Sequence, residues 1–250
     1  MLARATNRLR GFRPQPLITA LQNARQEDRY FAGHFGFGVH DSLPSPARYV
    51  TFLRDPVKRL ISLYEYSRET PGSFYFKHAQ NRSFREFIKS HSVFETDNGM
   101  VRFLLGDLRK SDYFICRKPF GSLNEADVSQ AIDNLKTHFA PPGITEQFDR
   151  SLLLLQHALD LPCVQYLKLN ERGHAARIGT EWDASLDDYV RLDRQLYQWA
   201  LAENERAWNA MVAERPAALQ EFETANLKYR RFRQKPYDVY FRLKDYCLYR

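Results

Sequence analysis

The chain has 250 residues, of which 44% are hydrophobic, so it is long enough to bury roughly three quarters of its unfolded surface in a single core. Its formal net charge of +7 favours polyanionic partners such as nucleotide phosphates, acidic sugars, nucleic acid or anionic lipid, and charge alone does not choose among them. Three widely spaced cysteines argue against a disulfide framework and a structural zinc site, and no apolar run approaches the roughly 18 residues of a membrane span.

The amino-terminal stretch is basic. Residues 1–26 contain Arg4, Arg8, Arg10, Arg13 and Arg25 but no acidic residue, and they lack the pattern of a secretory signal. We interpret this stretch as a basic helix face in contact with water, with an organelle transit peptide as the alternative. The odd number of cysteines favours a reducing compartment, so we expect a cytoplasmic protein without a structural metal ion.

Capping residues and apolar stripes mark the helices that follow. The predicted helix signals are, in chain order, the capping box of Ser83 and Glu86, that of Ser122 and Glu125, the cap Thr145 before Leu152 to Leu155, and the stripe of Leu192, Leu196 and Trp199. Short strands are predicted between these helices, at 49–53, 113–116 and 163–169. Strands that alternate with helices predict an α/β fold with a mostly parallel sheet.

The most informative segment is Tyr49 to Tyr66. Its apolar run suits a buried strand that ends at Arg54, after which Asp55 is a good N-cap and Pro56 a good first helical residue. Within the predicted helix, the stripe of Val57, Leu60, Ile61 and Tyr64 follows core spacing and leaves Lys58, Arg59 and Ser62 to face elsewhere. The segment is therefore predicted to be a strand-to-helix junction.

Such a junction suits an anion. Ligands of α/β sheets bind at the carboxyl ends of strands, where a helix amino terminus supplies unpaired N–H groups. The guanidinium of Arg54 and the hydroxyl of Ser62 are suitable donors for a phosphate dianion. Without other information, an Arg-Asp pair beside a solvated helix is the competing interpretation.

Several collinear motifs resemble the carbohydrate sulfotransferases, in particular the heparan sulfate and uronyl 2-O-sulfotransferase group and its bacterial relatives. The main match is Leu53-Arg-Asp-Pro-Val-Lys-Arg-Leu-Ile-Ser-Leu-Tyr64, which is similar to the 3′-phosphate motif of that family. The other matching segments are Ala32 to Phe37, Asp97 to Gly106, Gly143 to Asp149 and Leu192 to Tyr197. Together they span about residues 30 to 200, so the resemblance covers most of the chain.

The resemblance implies a P-loop NTPase-like sulfotransferase fold, in which helices flank a central, mostly parallel sheet. It implies that Arg54 and Ser62 bind the 3′-phosphate of 3′-phosphoadenosine 5′-phosphosulfate, the donor, and that the sulfuryl group goes to a hydroxyl of a carbohydrate, for which an acidic polysaccharide is one candidate. His34 matches the general base of the family, and the pKa of histidine suits that role. The competing interpretation makes His34 a hydrogen-bonded turn residue; His40 and His78 match nothing and are interpreted as surface residues.

The sequence departs from the family at its start. Relatives open with a strand and a loop resembling Pro-Lys-Thr-Gly-Gly-Thr-Thr, which holds the 5′-phosphosulfate, and this sequence has no such loop. Either the start was assigned downstream of the true one, or the chain is a shortened relative that is weakly active or only binds. We expect little or no transfer activity from the chain as written, because a fixed cation at the leaving phosphate is a large catalytic contribution.

The carboxyl-terminal segment is both basic and aromatic. We predict a sulfotransferase-like domain over 1–214 and an extension over 215–250, whose basic and aromatic residues could bind a polyanion or pack on the core. The alternative function is therefore a catalytically impaired relative that binds nucleotide or polyanion through this basic module. Nucleic acid is not an expected partner, no transmembrane segment is predicted, and peripheral membrane association stays open. Eukaryotic relatives are Golgi membrane proteins.

Overall fold

The computed structural model describes residues 33–43, 46–107, 115–161, 165–167 and 182–232. In chain order its regular elements are strand β1 (Phe52–Leu53), helices α1 (Pro56–Glu69), α2 (Phe76–Ala79), α3 (Phe84–Lys89), α4 (Gly99–Leu105) and α5 (Glu125–His138), strand β2 (Gly143–Ile144), and helices α6 (Phe148–Ala158), α7 (Arg191–Glu214) and α8 (218–232). Short 3₁₀ helices lie at Val39–Ser42, Phe94–Thr96, Thr145–Gln147 and Ala184–Tyr189. Within the described ranges, no helix combines the length and apolarity needed to cross a bilayer.

The two strands form a small parallel sheet. Phe52 lies opposite Gly143 and Leu53 opposite Ile144, and an isolated parallel bridge between Tyr49 and Phe139 extends the pairing. The strand predicted at 49–53 is therefore confirmed in its last two residues. Of the other two predicted strands, residues 115, 116 and 165–167 are described and form no strand, while the rest lie outside the described residues. The described part is mostly helical with a parallel sheet, which is compatible with the predicted α/β class.

The sheet is buried by helices. Leu53 and Ile144 pack in one apolar cluster with side chains of α4, α5 and α7, such as Val101, Leu135 and Leu196. A second cluster joins helices α1, α2 and α3. A third joins α6, α7 and α8 through residues that include Leu153, Met211 and Phe222. The residues predicted to form the core stripe of α1 occupy the second cluster as expected from their spacing. The division of the chain at residue 214 stays a prediction.

Two of the predicted helix starts are wrong in detail, and those of α1 and α3 are confirmed. Ser83 and Glu86 form the predicted capping box of α3. The box of α5 is instead formed by Asn124 and Asp127, whose carboxylate accepts a bond from the Asn124 N–H over 3.0 Å, while the predicted cap Ser122 donates to the carbonyl of Pro119. This stretch offers two overlapping cap patterns, and the sequence does not rank them.

The predicted cap Thr145 does not begin a helix directly. It starts a 3₁₀ turn, and α6 follows at Phe148 without a side-chain cap. The polar groups at the end of β2 are satisfied from within α6, because the Ser151 hydroxyl accepts a bond from the Ile144 N–H over 2.8 Å and returns one to its carbonyl. A serine inside the helix has thus replaced the expected cap.

Candidate functional site

The strand-to-helix junction forms as predicted. The side chain of Leu53 is buried at the end of β1, Asp55 accepts a hydrogen bond from the Lys58 N–H over 2.9 Å, and Pro56 is the first residue of α1. The first turn of α1 contains no acidic residue, so its positive end is not neutralised within the helix. The junction has the chemistry of an anion site.

Glu146, two residues after β2, is hydrogen-bonded to this junction. The two carboxylate oxygens of Glu146 accept one bond each, from the N–H of Asp55 over 3.1 Å and from the hydroxyl of Tyr197 on α7 over 2.9 Å. Burial raises the pKa of the Tyr197 phenol, and the Glu146 carboxylate raises it further. The sequence alone predicts no role for Glu146, because its partners Asp55 and Tyr197 are far away along the chain.

The predicted phosphate-binding side chains both lie at this junction. Arg54 is half-buried at the end of β1, and Ser62 is half-buried on α1, about 9 Å along the helix axis from Pro56. Within the described part of the chain, neither the Arg54 guanidinium nor the Ser62 hydroxyl has a hydrogen-bond or ion-pair partner. Arg54, a cation without a protein partner among the described residues and directly before a helix amino terminus, can bind an anionic group.

Arg59 does not face away from the protein as predicted. Its Nη2 donates to the carbonyl of Glu95 over 2.6 Å and lies 3.7 Å from the carboxylate of Asp193 on α7. The space for this guanidinium exists because residue 99 is a glycine: a Cβ there would come within 2.6 Å of Nη2. Spacing along one helix identifies the apolar face but does not show that another segment covers the opposite face. Lys58, by contrast, is exposed as predicted.

The partner of Arg59 is a buried carboxylate. Asp193 has no exposed surface, and it accepts bonds from the N–H groups of Met100 over 3.1 Å and Val101 over 2.9 Å at the start of α4. Burial raises the pKa of Asp193, although the charge of Arg59 and the two N–H groups oppose that rise. This cluster ties α1, α4 and α7 together beneath the junction.

His34 lies on a separate segment and is exposed. The Phe37 N–H donates to the carbonyl of Phe103 on α4 over 2.7 Å, which ties the segment to the core. Gly106 lies against Phe37: it has a φ of 67°, and a Cβ there would overlap the Phe37 carbonyl oxygen. Arg54 lies directly before α1 and Ser62 lies about two turns along it, and no contact within the described ranges joins His34 to either of them.

His40 is half-buried rather than a surface residue. Its Nδ1 lies 2.8 Å from the hydroxyl of Tyr49, which also accepts bonds from the N–H groups of Gly38 over 3.1 Å and His40 over 2.9 Å. Because both backbone groups donate, the hydroxyl proton of Tyr49 is left for the imidazole. The bond fixes the turn after His34. No group of three or more metal-ligating side chains is found in the part of the chain that the structure describes.

Comparisons with known proteins point in one direction. Residues 17–239 match a family model described as Galactose-3-O-sulfotransferase. "Galactose-3-O-sulfotransferase 3" of Bos taurus is 27% identical to the chain over 182 residues, and that of Mus musculus is 28% identical over 182 residues. In both cases the match covers 68% of this chain and 36% of the relative, so the chain spans about a third of the length of these relatives. No solved structure matches the chain.

These matches agree with the predicted family, the carbohydrate sulfotransferases, and not with the predicted subgroup. A carbohydrate sulfotransferase family was predicted, and the matching family is of that kind. The predicted subgroup, heparan sulfate and uronyl 2-O-sulfotransferases of bacterial type, finds no support, because the matching names are those of galactose 3-O-sulfotransferases. Motifs that bind a shared donor are alike across subgroups, so they do not identify the acceptor.

Proposed function

This chain belongs to the galactose-3-O-sulfotransferase family, and from that premise we propose that it moves a sulfuryl group from 3′-phosphoadenosine 5′-phosphosulfate to a hydroxyl of a galactose-bearing carbohydrate. The curated relatives are named for the 3-hydroxyl of galactose, and we take that hydroxyl as the proposed acceptor. The positive net charge of +7 suits an anionic donor.

One observation carries the donor assignment. Arg54 stands at the end of a strand whose parallel partner ends beside it, directly before a helix amino terminus, and its guanidinium has no partner among the described residues. In a parallel α/β sheet this position is where phosphates bind. We assign the 3′-phosphate of the donor to Arg54 and Ser62, within a P-loop-like arrangement of strand, turn and helix.

We assign the role of general base to His34. As the acceptor hydroxyl oxygen attacks sulfur, a new S–O bond forms and the bond from sulfur to the 5′-phosphate oxygen breaks. The electron pair of that bond leaves with adenosine 3′,5′-bisphosphate, and the hydroxyl proton passes to the imidazole of His34. The exposure of His34 supports the assignment, because a base must reach an acceptor that enters from water.

The alternative, a basic module that binds polyanions without catalysis, is not favoured by the family match. It remains distinguishable by experiment. Polyanion binding through the basic residues of the carboxyl-terminal segment should weaken steeply with salt and should not depend on Arg54. Binding through the junction should depend on Arg54 at every salt concentration.

The direct test is a transfer assay with a radiolabelled donor and galactose-terminated oligosaccharides, with desulfated heparin as a second acceptor. Because little transfer is expected from the chain as written, the assay uses a fusion that carries a relative's strand and phosphate loop ahead of this chain. In that fusion we expect transfer to the galactosides, its loss in Arg54→Ala, and near-normal transfer in Lys58→Ala. Lys58 is the matched control because it is an exposed cation in the first turn of the same helix. Transfer that survives Arg54→Ala, or transfer to desulfated heparin alone, would contradict the proposal.

A further inference from the structure

We propose that Glu146 is a positioning residue, which fixes the peptide between Arg54 and Asp55 and so sets how tightly Arg54 binds a 3′-phosphate. The inference rests on the proposed function, because it deepens the donor site described there. It concerns a side chain that does not itself meet the donor. A carboxylate that touched the phosphate would repel it, so Glu146 acts through the backbone of the junction.

The geometry of the carboxylate is that of a bridge. Oε1 accepts from the backbone N–H of Asp55, and Oε2 accepts from the hydroxyl of Tyr197. Tyr197 is only 8% exposed and belongs to the main apolar cluster, so its ring is held by packing. Glu146 thus links a rigid phenol on α7 to the turn that follows β1.

The hydrogen bond between Asp55 and Glu146 also constrains Arg54, the residue before Asp55. The N–H of Asp55 belongs to the peptide unit that also contains the carbonyl of Arg54, and a peptide unit is planar. Holding that N–H therefore restricts the ψ angle of Arg54 and the direction in which its side chain leaves the backbone. The other bonds of Asp55 run into α1, to the N–H groups of Lys58 and Arg59. In the described part of the chain, Glu146 alone ties this peptide to the second strand.

Both partners of Glu146 donate to it, and a carboxylate offers one acceptor oxygen to each. In Glu146→Gln the amide oxygen can still accept from the Asp55 N–H, and the NH₂ group can donate to the hydroxyl oxygen of Tyr197, so that change removes the charge and keeps both contacts. Glu146→Ala removes both bonds. In Glu146→Asp the side chain is one methylene shorter, and a single carboxylate could not reach both partners in the same positions.

The test measures the affinities of adenosine 3′,5′-bisphosphate and 5′-AMP by calorimetry in the whole chain. In wild type the ratio of the two reports the 3′-phosphate contacts. In Glu146→Ala we expect this ratio to fall about tenfold, since misplacing a charge-assisted contact costs roughly that factor, while the affinity for 5′-AMP stays within a few fold. Tyr197→Phe, which removes the supporting hydroxyl, should lower the ratio in the same direction and by less.

Glu205→Ala is the matched control, since Glu205 is an exposed glutamate on the same long helix as Tyr197 and pairs with Arg150. It should leave the ratio unchanged. If Glu146→Ala lowers the melting temperature but keeps the ratio, Glu146 is only structural and the inference is overturned. If wild type itself binds both nucleotides equally, the proposed donor site is wrong and the inference is overturned with it.

Discussion

The guanidinium of Arg59 lies 3.7 Å from the carboxylate of Asp193, a side chain that has no exposed surface. The pair joins α1, to which we assign the donor site, to α7 and to the start of α4. Buried charges of this kind are costly when one of them stands alone. The pair therefore controls the stability of the helix on which Ser62 lies.

The first prediction removes the cation. We expect Arg59→Met to lower the free energy of unfolding at neutral pH by about 3 kcal/mol, because it leaves a buried carboxylate without its countercharge. Urea denaturation would measure this loss. Lys58→Met removes a neighbouring cation that is exposed, and it should change the stability little. Equal effects of the two substitutions would contradict this account.

The second prediction concerns pH. The pKa of Asp193 is raised from its ordinary value of 3.8, so in the native state it holds a proton more tightly than in the unfolded chain. Its contribution to stability is full below pH 3.8 and is lost as the pH rises through the native pKa. Without Arg59 that pKa rises further, so the penalty of Arg59→Met should grow between acidic and neutral pH. The double variant Arg59→Met with Asp193→Asn cannot titrate there and should show a constant penalty.

The third prediction concerns Ser62. A serine hydroxyl is a weaker phosphate ligand than a guanidinium, so Ser62→Ala should weaken the binding of adenosine 3′,5′-bisphosphate by about three- to tenfold, less than Arg54→Ala. Neither variant should change the affinity for 5′-AMP. Ser129→Ala on α5 is a control, since that hydroxyl only returns a bond to its own helix. A loss of 5′-AMP affinity in Ser62→Ala would place the hydroxyl elsewhere on the nucleotide.

The fourth prediction tests the proposed base. In an active fusion that carries a relative's phosphate loop ahead of the chain, His34→Ala should lower turnover by roughly 10² to 10⁴ and leave nucleotide affinity within a few fold, because a general base acts on the acceptor. His157→Ala replaces an exposed histidine on α6, beside Glu214, and should leave turnover unchanged. Full turnover in His34→Ala would make His34 a turn residue.

The fifth prediction uses two glycines with similar positive φ angles. Gly106 has a φ of 67° and lies against Phe37, while Gly121 has a φ of 72° and no atom within 4 Å of the position that a Cβ would take. Alanine at either position costs about 1–2 kcal/mol for the left-handed backbone. Gly106→Ala should cost clearly more, and hydrogen exchange should show faster opening of the segment after His34. Similar losses in both variants would mean that the close approach to Phe37 contributes nothing.

Local signals in the sequence were sufficient to predict the strand-to-helix junction. They were insufficient to predict the contacts that hold it in place. Asp55 and Pro56 are neighbours whose preferences act over one turn, so the start of α1 could be predicted and is confirmed. The sequence did not show that the face of α1 with Arg59 is covered, because the partner of Arg59, Asp193, belongs to a distant helix. Glu146 could not be assigned for the same reason. Its neighbours in sequence give no sign that its partners are a backbone N–H and a phenol on other elements.

The link between Asp55 and Glu146 spans 91 positions along the chain. Parallel strands so far apart cannot form a local hairpin, and closing a loop of that length costs entropy before any strand pairing compensates for it. We therefore expect the junction to be absent from early folding species, which would be built from local helices such as α3 and α5. A nucleotide that recognises the finished junction should then slow unfolding and leave the rate of refolding unchanged.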